Sequence, residues 1–220
     1  MAKRGLCIRI LTVLLCLGLL SGCVGEQSES DLALQLRTDF LSRSGCAGEV
    51  TLTADYGQRV YEYTLTFSET EKEGLTLVLT APESVAGITA TVARGETALT
   101  FDGVQLETGP LNDEGLSPLD ALPTFFSAME SGFIAETGGE PLGERQTLRL
   151  CFRQPEKSPG QGLETVLWFD AETKALVQGE VRSDGRTIIR AAFSSFLLTA
   201  KTQQGTGTVP TADSPDASTR

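Results

Sequence analysis

The chain has 220 residues, of which 29 are acidic and 18 are basic, and its formal net charge is −11. It contains no histidine, which excludes Ser-His-Asp and Cys-His nucleophilic sites and the common histidine-containing zinc sites. The acidic balance also argues against a basic patch that would bind nucleic acid or an anionic membrane surface.

The first 22 residues show the order of charge and hydropathy that is typical of a secretion signal. Lys3, Arg4 and Arg9 precede an apolar stretch over residues 10–20. This stretch is shorter than the roughly 20 apolar residues that a membrane-spanning helix needs. We therefore expect residues 1–22 to be removed on export, with an uncleaved anchor helix as the alternative.

The sequence Leu20-Ser21-Gly22-Cys23 resembles the lipobox of bacterial lipoprotein precursors, in which small residues precede a cysteine. The resemblance implies that a diacylglycerol is attached to the sulfur of Cys23, and that cleavage occurs just before it. The signal contains three of the 18 basic residues and no acidic one, so the mature chain keeps 15 basic against 29 acidic residues, a net charge of −14. The polar residues 23–30 then form a lipidated tether at the extracytoplasmic face of the membrane.

An amphipathic helix is predicted over residues 31–44, with Ser28 or Ser30 as its cap and Gly45 as its stop. The apolar residues fall in two adjoining rows, which predicts a wide buried face. The first row contains Leu32, Leu36 and Phe40, and the second contains Leu34 and Leu41.

From residue 61 onwards, apolar and polar residues alternate with the period of two that predicts strands with one buried face. Short turns such as Asp102-Gly103 and Asp184-Gly185 separate these runs and favour antiparallel pairing of consecutive strands. The predicted strands lie within residues 61–67, 75–80, 92–106, 148–152, 166–169, 175–181 and 187–196.

A second helix is predicted over residues 117–132, between the two sets of strands. Ser117 would cap it, Pro118 would take its first position, and Pro123 would kink it or split it in two. Its apolar face contains Leu119, Leu122, Phe125, Phe126 and Met129. The polar residues 201–220 are predicted to form a disordered tail, which leaves one domain over residues 31–200.

This order of elements over residues 30–199 resembles the LolA/LolB-like periplasmic lipoprotein-carrier superfamily, which includes mycobacterial lipid-carrying lipoproteins. Local phrases carry part of the resemblance: residues 77–82 (LVLTAP), residues 88–106 ending in LTFDGVQL, and Ser117-Pro118-Leu119. It implies a mainly β fold with some α, namely an unclosed antiparallel half-barrel whose concave face is covered by the two helices.

The resemblance also implies that the concave face encloses an apolar cavity for a lipid, an acyl chain or another apolar ligand. A protein anchored by its own lipid cannot carry cargo across a periplasm unaided, so a receptor or local lipid-binding role is favoured. The alternative is a non-enzymatic scaffold of the envelope or spore that binds a protein partner, for example a cell-wall enzyme. The candidate lining residues are Tyr63, Leu65, Phe67, Leu77, Leu79, Phe101, Phe125, Phe126, Met129 and Trp168, with ordinary core packing as the favoured alternative for Phe125, Phe126 and Met129.

We expect no catalytic site, metal or cofactor, because the chain offers only carboxylates, Lys and Tyr for acid–base chemistry and no glycine-rich phosphate loop. The mature chain keeps Cys46 and Cys151 besides Cys23. Disulfides persist outside the cytoplasm, so this pair forms either a bridge or two buried free thiols.

Overall fold

The computed structural model describes residues 28–93, 96–101, 104–107 and 117–201. The signal, Cys23, most of the tether and the tail from residue 202 onwards lie outside these ranges. Within the described ranges, no helix is long and apolar enough to cross a membrane.

Eleven strands of the described residues form one antiparallel sheet, in the order β6-β5-β4-β3-β2-β1-β11-β10-β9-β8-β7. Each half of the sheet is a meander, and the two halves meet where β1 pairs with β11. β6 and β7 are the edges, so the sheet is an unclosed half-barrel, as predicted. The strands are β1 (Arg43–Asp55), β2 (Val60–Thr70), β3 (Gly74–Ala81), β4 (Thr89–Ala93), β5 (Glu96–Phe101), β6 (Val104–Glu107), β7 (Ile134–Leu142), β8 (Arg145–Arg153), β9 (Leu163–Asp170), β10 (Leu176–Ser183) and β11 (Arg186–Ala200).

Two helices, α1 (Glu29–Leu41) and α2 (Ala121–Ser131), pack on the concave face of the sheet, which we call the inner face. Their apolar side chains and those of the inner face form one large buried cluster. Burial of this apolar area is the main source of stability, since each square ångström removed from water contributes about 25 cal/mol.

α1 begins two residues earlier and ends three residues earlier than predicted. The Ser28 hydroxyl caps it by accepting the Asp31 N–H at 3.2 Å. The chain leaves the helix at Ser42, because the next residues pair with the end of β11. The buried face is narrower than predicted: the row of Leu32, Leu36 and Phe40 packs against the core, whereas Leu34 and Leu41 are exposed.

The second predicted helix is split, although not at Pro123. A short 3-10 helix covers Pro118–Asp120, and α2 follows without interruption through Pro123. Pro123 lies in the first turn of α2, where a backbone N–H has no partner inside the helix, so its missing N–H costs little.

The sequence patterns missed two strands, β1 and β7. β1 lies at the centre of the sheet, but its inner face carries small residues as well as large ones, namely Cys46, Gly48, Val50, Leu52 and Ala54. A side chain at Gly48 would meet the Ser195 carbonyl oxygen at 2.2 Å and the Phe67 ring at 2.8 Å, so glycine is required there. β7 contains Gly138, Gly139 and Pro141, which is tolerated at a sheet edge.

Candidate functional site

Side chains of the buried cluster occupy most of the space between the helices and the inner face, and most of the predicted cavity residues are part of this packing. The Phe126 ring, for example, lies 5.5 Å from the ring of Phe40 and 6.2 Å from that of Phe67, measured between centroids. A pocket of about 250 Å³ remains between α1 and the sheet, beside Phe40 and Phe169. None of the candidate residues lines any of the four pockets found in the described part of the chain. The fully or nearly fully buried candidates on this face are Leu65, Phe67, Leu77, Leu79, Phe125, Phe126 and Met129.

The other three candidates lie elsewhere. Tyr63 is half-buried on β2, and Phe101, at the end of β5, is 52% exposed. Trp168 lies on the opposite, outer face of the sheet, where its ring N–H donates to Glu140. Trp168 was predicted to line the cavity, but β9 is buried on both faces and Trp168 belongs to the outer one.

Cys46 and Cys151 are free and buried in the structure. Cys46 belongs to the inner cluster, whereas Cys151 belongs to a smaller apolar cluster on the outer face. The sheet separates them, so the structure contains the free-thiol alternative and not the bridge. Burial raises the pKa of Cys46 to about 12, and the neighbouring Glu69 carboxylate contributes to this value.

A groove of about 800 Å³ lies between α2 and the adjoining ends of β8 and β9. This volume lies within the range of ligand-binding clefts. One wall is a helix and the other is the margin of the sheet. The lining residues are Asp120, Pro123, Thr124, Ser127, Ala128, Ser131, Gly132, Phe133, Phe152, Arg153, Gln154, Pro155, Leu163 and Thr165.

The helical wall of the groove is the polar side of α2. Leu122, Phe125 and Met129 turn into the core, which leaves Thr124, Ser127 and Ser131 along the neighbouring face at spacings of three and four. These hydroxyl-bearing residues carry no recognisable sequence motif. They line the groove only because α2 lies beside the margin of the sheet.

Arg37 of α1 fixes the end of this helical wall. Its Nη2 donates to the carbonyl oxygens of Gly132 at 2.5 Å and Ala128 at 3.3 Å, at the end of a helix where carbonyl groups lack partners within the helix. The guanidinium also lies 5.6 Å from the centre of the Phe152 ring, on the opposite wall. Burial lowers the pKa of Arg37 from its ordinary value.

The sheet wall combines apolar side chains with one neutralised cation. Arg153 pairs through Nη1 with Glu164 at 2.7 Å and through Nη2 with Glu136 at 3.0 Å. The hydrogen bond from Arg153 lowers the pKa of Glu136, with a smaller contribution from Arg149. Two carboxylates around Arg153 leave little net positive charge for an anionic ligand. Phe133 and Leu163 remain substantially exposed at the groove margin.

Comparisons with known proteins place this architecture beside several solved structures. No family model and no curated protein matches the sequence. An uncharacterized conserved protein from Thermus thermophilus is similar with a TM-score of 0.47 and 10% identity, over 84% of this chain and 96% of that one. The LolA superfamily protein NE2245 from Nitrosomonas europaea is similar with a TM-score of 0.38 and 10% identity, over 76% of this chain and 93% of that one.

A further similar structure is that of the CwlD amidase from Clostridioides difficile in complex with the GerS lipoprotein, with a TM-score of 0.40 and 12% identity. The match covers 80% of this chain and 99% of that chain. Similarities as remote as these carry no information about a ligand or a partner. The half-barrel class therefore stands on the strand order, the register and the helix packing described above.

Proposed function

We propose that this chain is a lipid-anchored binding protein of the cell envelope, and that the groove beside α2 holds an amphipathic ligand with at least one acyl chain. Cys23 would carry the anchor, and the half-barrel would act without catalysis. The groove supports this proposal better than the barrel interior does, because the protein's own side chains occupy most of the interior and the pocket that remains beside α1 is smaller.

The two kinds of lining residue in the groove suit such a ligand. Phe133 and Leu163 offer apolar surface to methylene groups on the sheet side. Ser127 and Ser131 offer hydroxyl groups on the helix side, which can donate to and accept from a polar head. An extended ligand lying along the groove would meet both walls at once.

Native mass spectrometry of the gently purified protein tests the binding step. We expect a population carrying a lipid-sized adduct, and binding of a phospholipid that bears one fluorescent acyl chain. Ser127→Trp fills the groove from an exposed position and should abolish both signals. Ser68→Trp is the matched control, because Ser68 lies on β2 and does not line the groove. Unchanged binding by Ser127→Trp would refute the groove assignment.

The anchor requires a separate test. Expression of the whole chain in a bacterial host should yield a membrane-associated product whose N-terminal peptide begins at Cys23 and carries a diacylglycerol. Cys23→Ser should remove the lipid and release the protein from the membrane fraction. An unmodified product that still begins at Met1 would favour the uncleaved anchor helix instead.

A protein partner is the second candidate, and the exposed Phe133 and Leu163 favour it. Exposed apolar residues beside a groove are a common feature of protein interfaces. The same variants separate the two functions. A co-purified protein that is lost with Phe133→Ser, in preparations without any bound lipid, would assign the groove to a partner.

A further inference from the structure

All three tyrosines of the chain lie together at the hairpin between β1 and β2. The rings of Tyr61 and Tyr63 are nearly parallel, with an interplanar angle of 14° and centroids 6.3 Å apart. Tyr56 meets Tyr61 edge-on, with centroids 6.2 Å apart. We call these three residues the tyrosine cluster.

The tyrosine cluster marks the end of the inner face that opens to solvent. Along β2 the exposed fraction rises from 0% at Leu65 to 37% at Tyr61, although both side chains belong to the same face. Tyr56 is 45% exposed. The rings therefore form a partly exposed aromatic platform at this end of the inner face, and they are not part of the sealed core.

Polar groups surround this platform. Arg59 Nη1 donates to the Tyr61 hydroxyl at 3.5 Å, and Asp55 accepts the Gly57 N–H at 2.7 Å within the same hairpin. Asp120, at the start of α2, is close enough to act on Tyr56. Burial raises the pKa of Tyr56, and the neighbouring Tyr63 and Asp120 raise it further. Donors and acceptors thus lie at the margin of an aromatic surface.

This combination matches the chemistry of a sugar. A pyranose ring has a face of C–H groups, which packs on an aromatic ring, and an edge of hydroxyl groups, which bonds to charged and amide side chains. A flat bilayer suits the platform less well, because Tyr61 and Tyr63 lie on the concave face and do not project from a convex one. We propose that the tyrosine cluster binds a hexopyranose oligosaccharide, at a site that shares only Asp120 with the groove.

Calorimetric titration of the mature protein with chitotetraose and with cellotetraose tests this proposal. We expect at least one of them to bind, and Tyr61→Ala to weaken its affinity about tenfold through loss of the ring face. Tyr61→Phe keeps the ring and should retain most of the affinity. Val60→Ala is the matched control, since Val60 is exposed on the same strand but faces the other way. Ser127→Trp, in the groove, should leave sugar binding unchanged.

Three results would overturn the proposal. The first is the absence of binding by both tetrasaccharides up to millimolar concentrations. The second is wild-type affinity in Tyr61→Ala, with thermal unfolding used to verify that this variant is folded. The third is tyrosine-dependent binding to phosphatidylglycerol vesicles without any sugar binding, which would assign the cluster to a membrane surface.

Discussion

Arg43 and Glu69 form a two-pronged ion pair, with Nε 2.8 Å from Oε2 and Nη2 3.0 Å from Oε1. The same guanidinium lies 3.7 Å from the centre of the Phe40 ring and also reaches Glu130 of α2 at 2.8 Å. Arg43 therefore joins the end of α1, the first strand, the second strand and α2. Its side chain is only 8% exposed, so this junction is mostly shielded from water.

Removal of this cation should destabilise the fold. Arg43→Met leaves the carboxylates of Glu69 and Glu130 without their partner, and loss of one member of a buried pair typically costs several kcal/mol. We expect a decrease of about 2–3 kcal/mol in the free energy of unfolding, since both carboxylates keep some contact with water. Urea titration followed by circular dichroism measures this decrease.

The matched control is Lys201→Met. Lys201 pairs with Glu71 at 2.5 Å, but both side chains are more than half exposed. Such exposed pairs contribute little to stability, so this variant should unfold almost like the parent. Equal effects of the two substitutions would show that Arg43 is not a structural junction.

Gly179 of β10 lies under α2, and its position predicts a second effect on stability. A Cβ atom there would lie 2.7 Å from two carbons of the Phe125 ring, which is fully buried. Gly179→Val should therefore lower the free energy of unfolding by about 1–3 kcal/mol through overpacking. Gly138→Ala is the control, because a Cβ at Gly138 meets nothing within 4 Å.

A double variant locates the strain. Phe125→Ala alone should cost about 3–5 kcal/mol, as expected for loss of a buried aromatic ring. In the Gly179→Val background the same change should cost clearly less, because it also relieves the collision. Additive costs in urea titrations would place the strain of Gly179→Val somewhere other than Phe125.

The sequence patterns predicted strands such as β2 and β3, whose inner faces carry large apolar side chains. β2 and β3 follow the period of two with Leu65, Phe67, Leu77 and Leu79, and both lie where predicted. β1 was missed because a central strand between two close neighbours needs small residues such as Gly48. The need for glycine at this position arises from Ser195 and Phe67, which lie far away in the sequence. A local sequence pattern therefore cannot predict it.

The groove could not be predicted for a similar reason. Its walls combine residues of α2 with residues of β8 and β9 that lie far from them along the chain, and Ser127 or Thr165 alone gives no signal. The apolar face of α2 was predicted with core packing and cavity lining as alternatives, and the structure contains core packing. In the structure Phe125 and Phe126 fill the space that was expected to remain open.

The raised pKa of Cys46 predicts a specific dependence of stability on pH. The thiol has an ordinary pKa of 9.0 when unfolded and about 12 in the folded chain. Between these pH values the folded chain keeps a proton that the unfolded chain has lost, so rising pH favours unfolding. The contribution of Cys46 is fully present below about pH 9 and should decline by at most about 1.4 kcal/mol per pH unit above it.

Comparison with Cys46→Ala isolates this contribution. The burial of Cys151 also raises its pKa, but Cys151 is present in both proteins and its effect cancels in the difference. The parent should lose stability more steeply than Cys46→Ala as the pH rises from 9 towards 12, as measured by chemical denaturation. Parallel pH profiles would show that the Cys46 thiol ionises equally well in the folded and unfolded chains.

The edge strand β7 has two features that disfavour pairing with the edge of another copy. The Gly139 N–H is accepted by Glu29 of α1 at 2.7 Å, and Pro141 two residues later has no N–H. Unpaired amides on an edge strand promote association through added strands, so both features protect this edge.

The combined variant Glu29→Ala/Pro141→Thr removes both features, and sedimentation velocity should show association that increases with concentration. Glu172→Ala, which removes a charge from an exposed turn, should stay monomeric at the same concentrations. If the combined variant behaves like this control, the protection of β7 must come from its twist or from other residues.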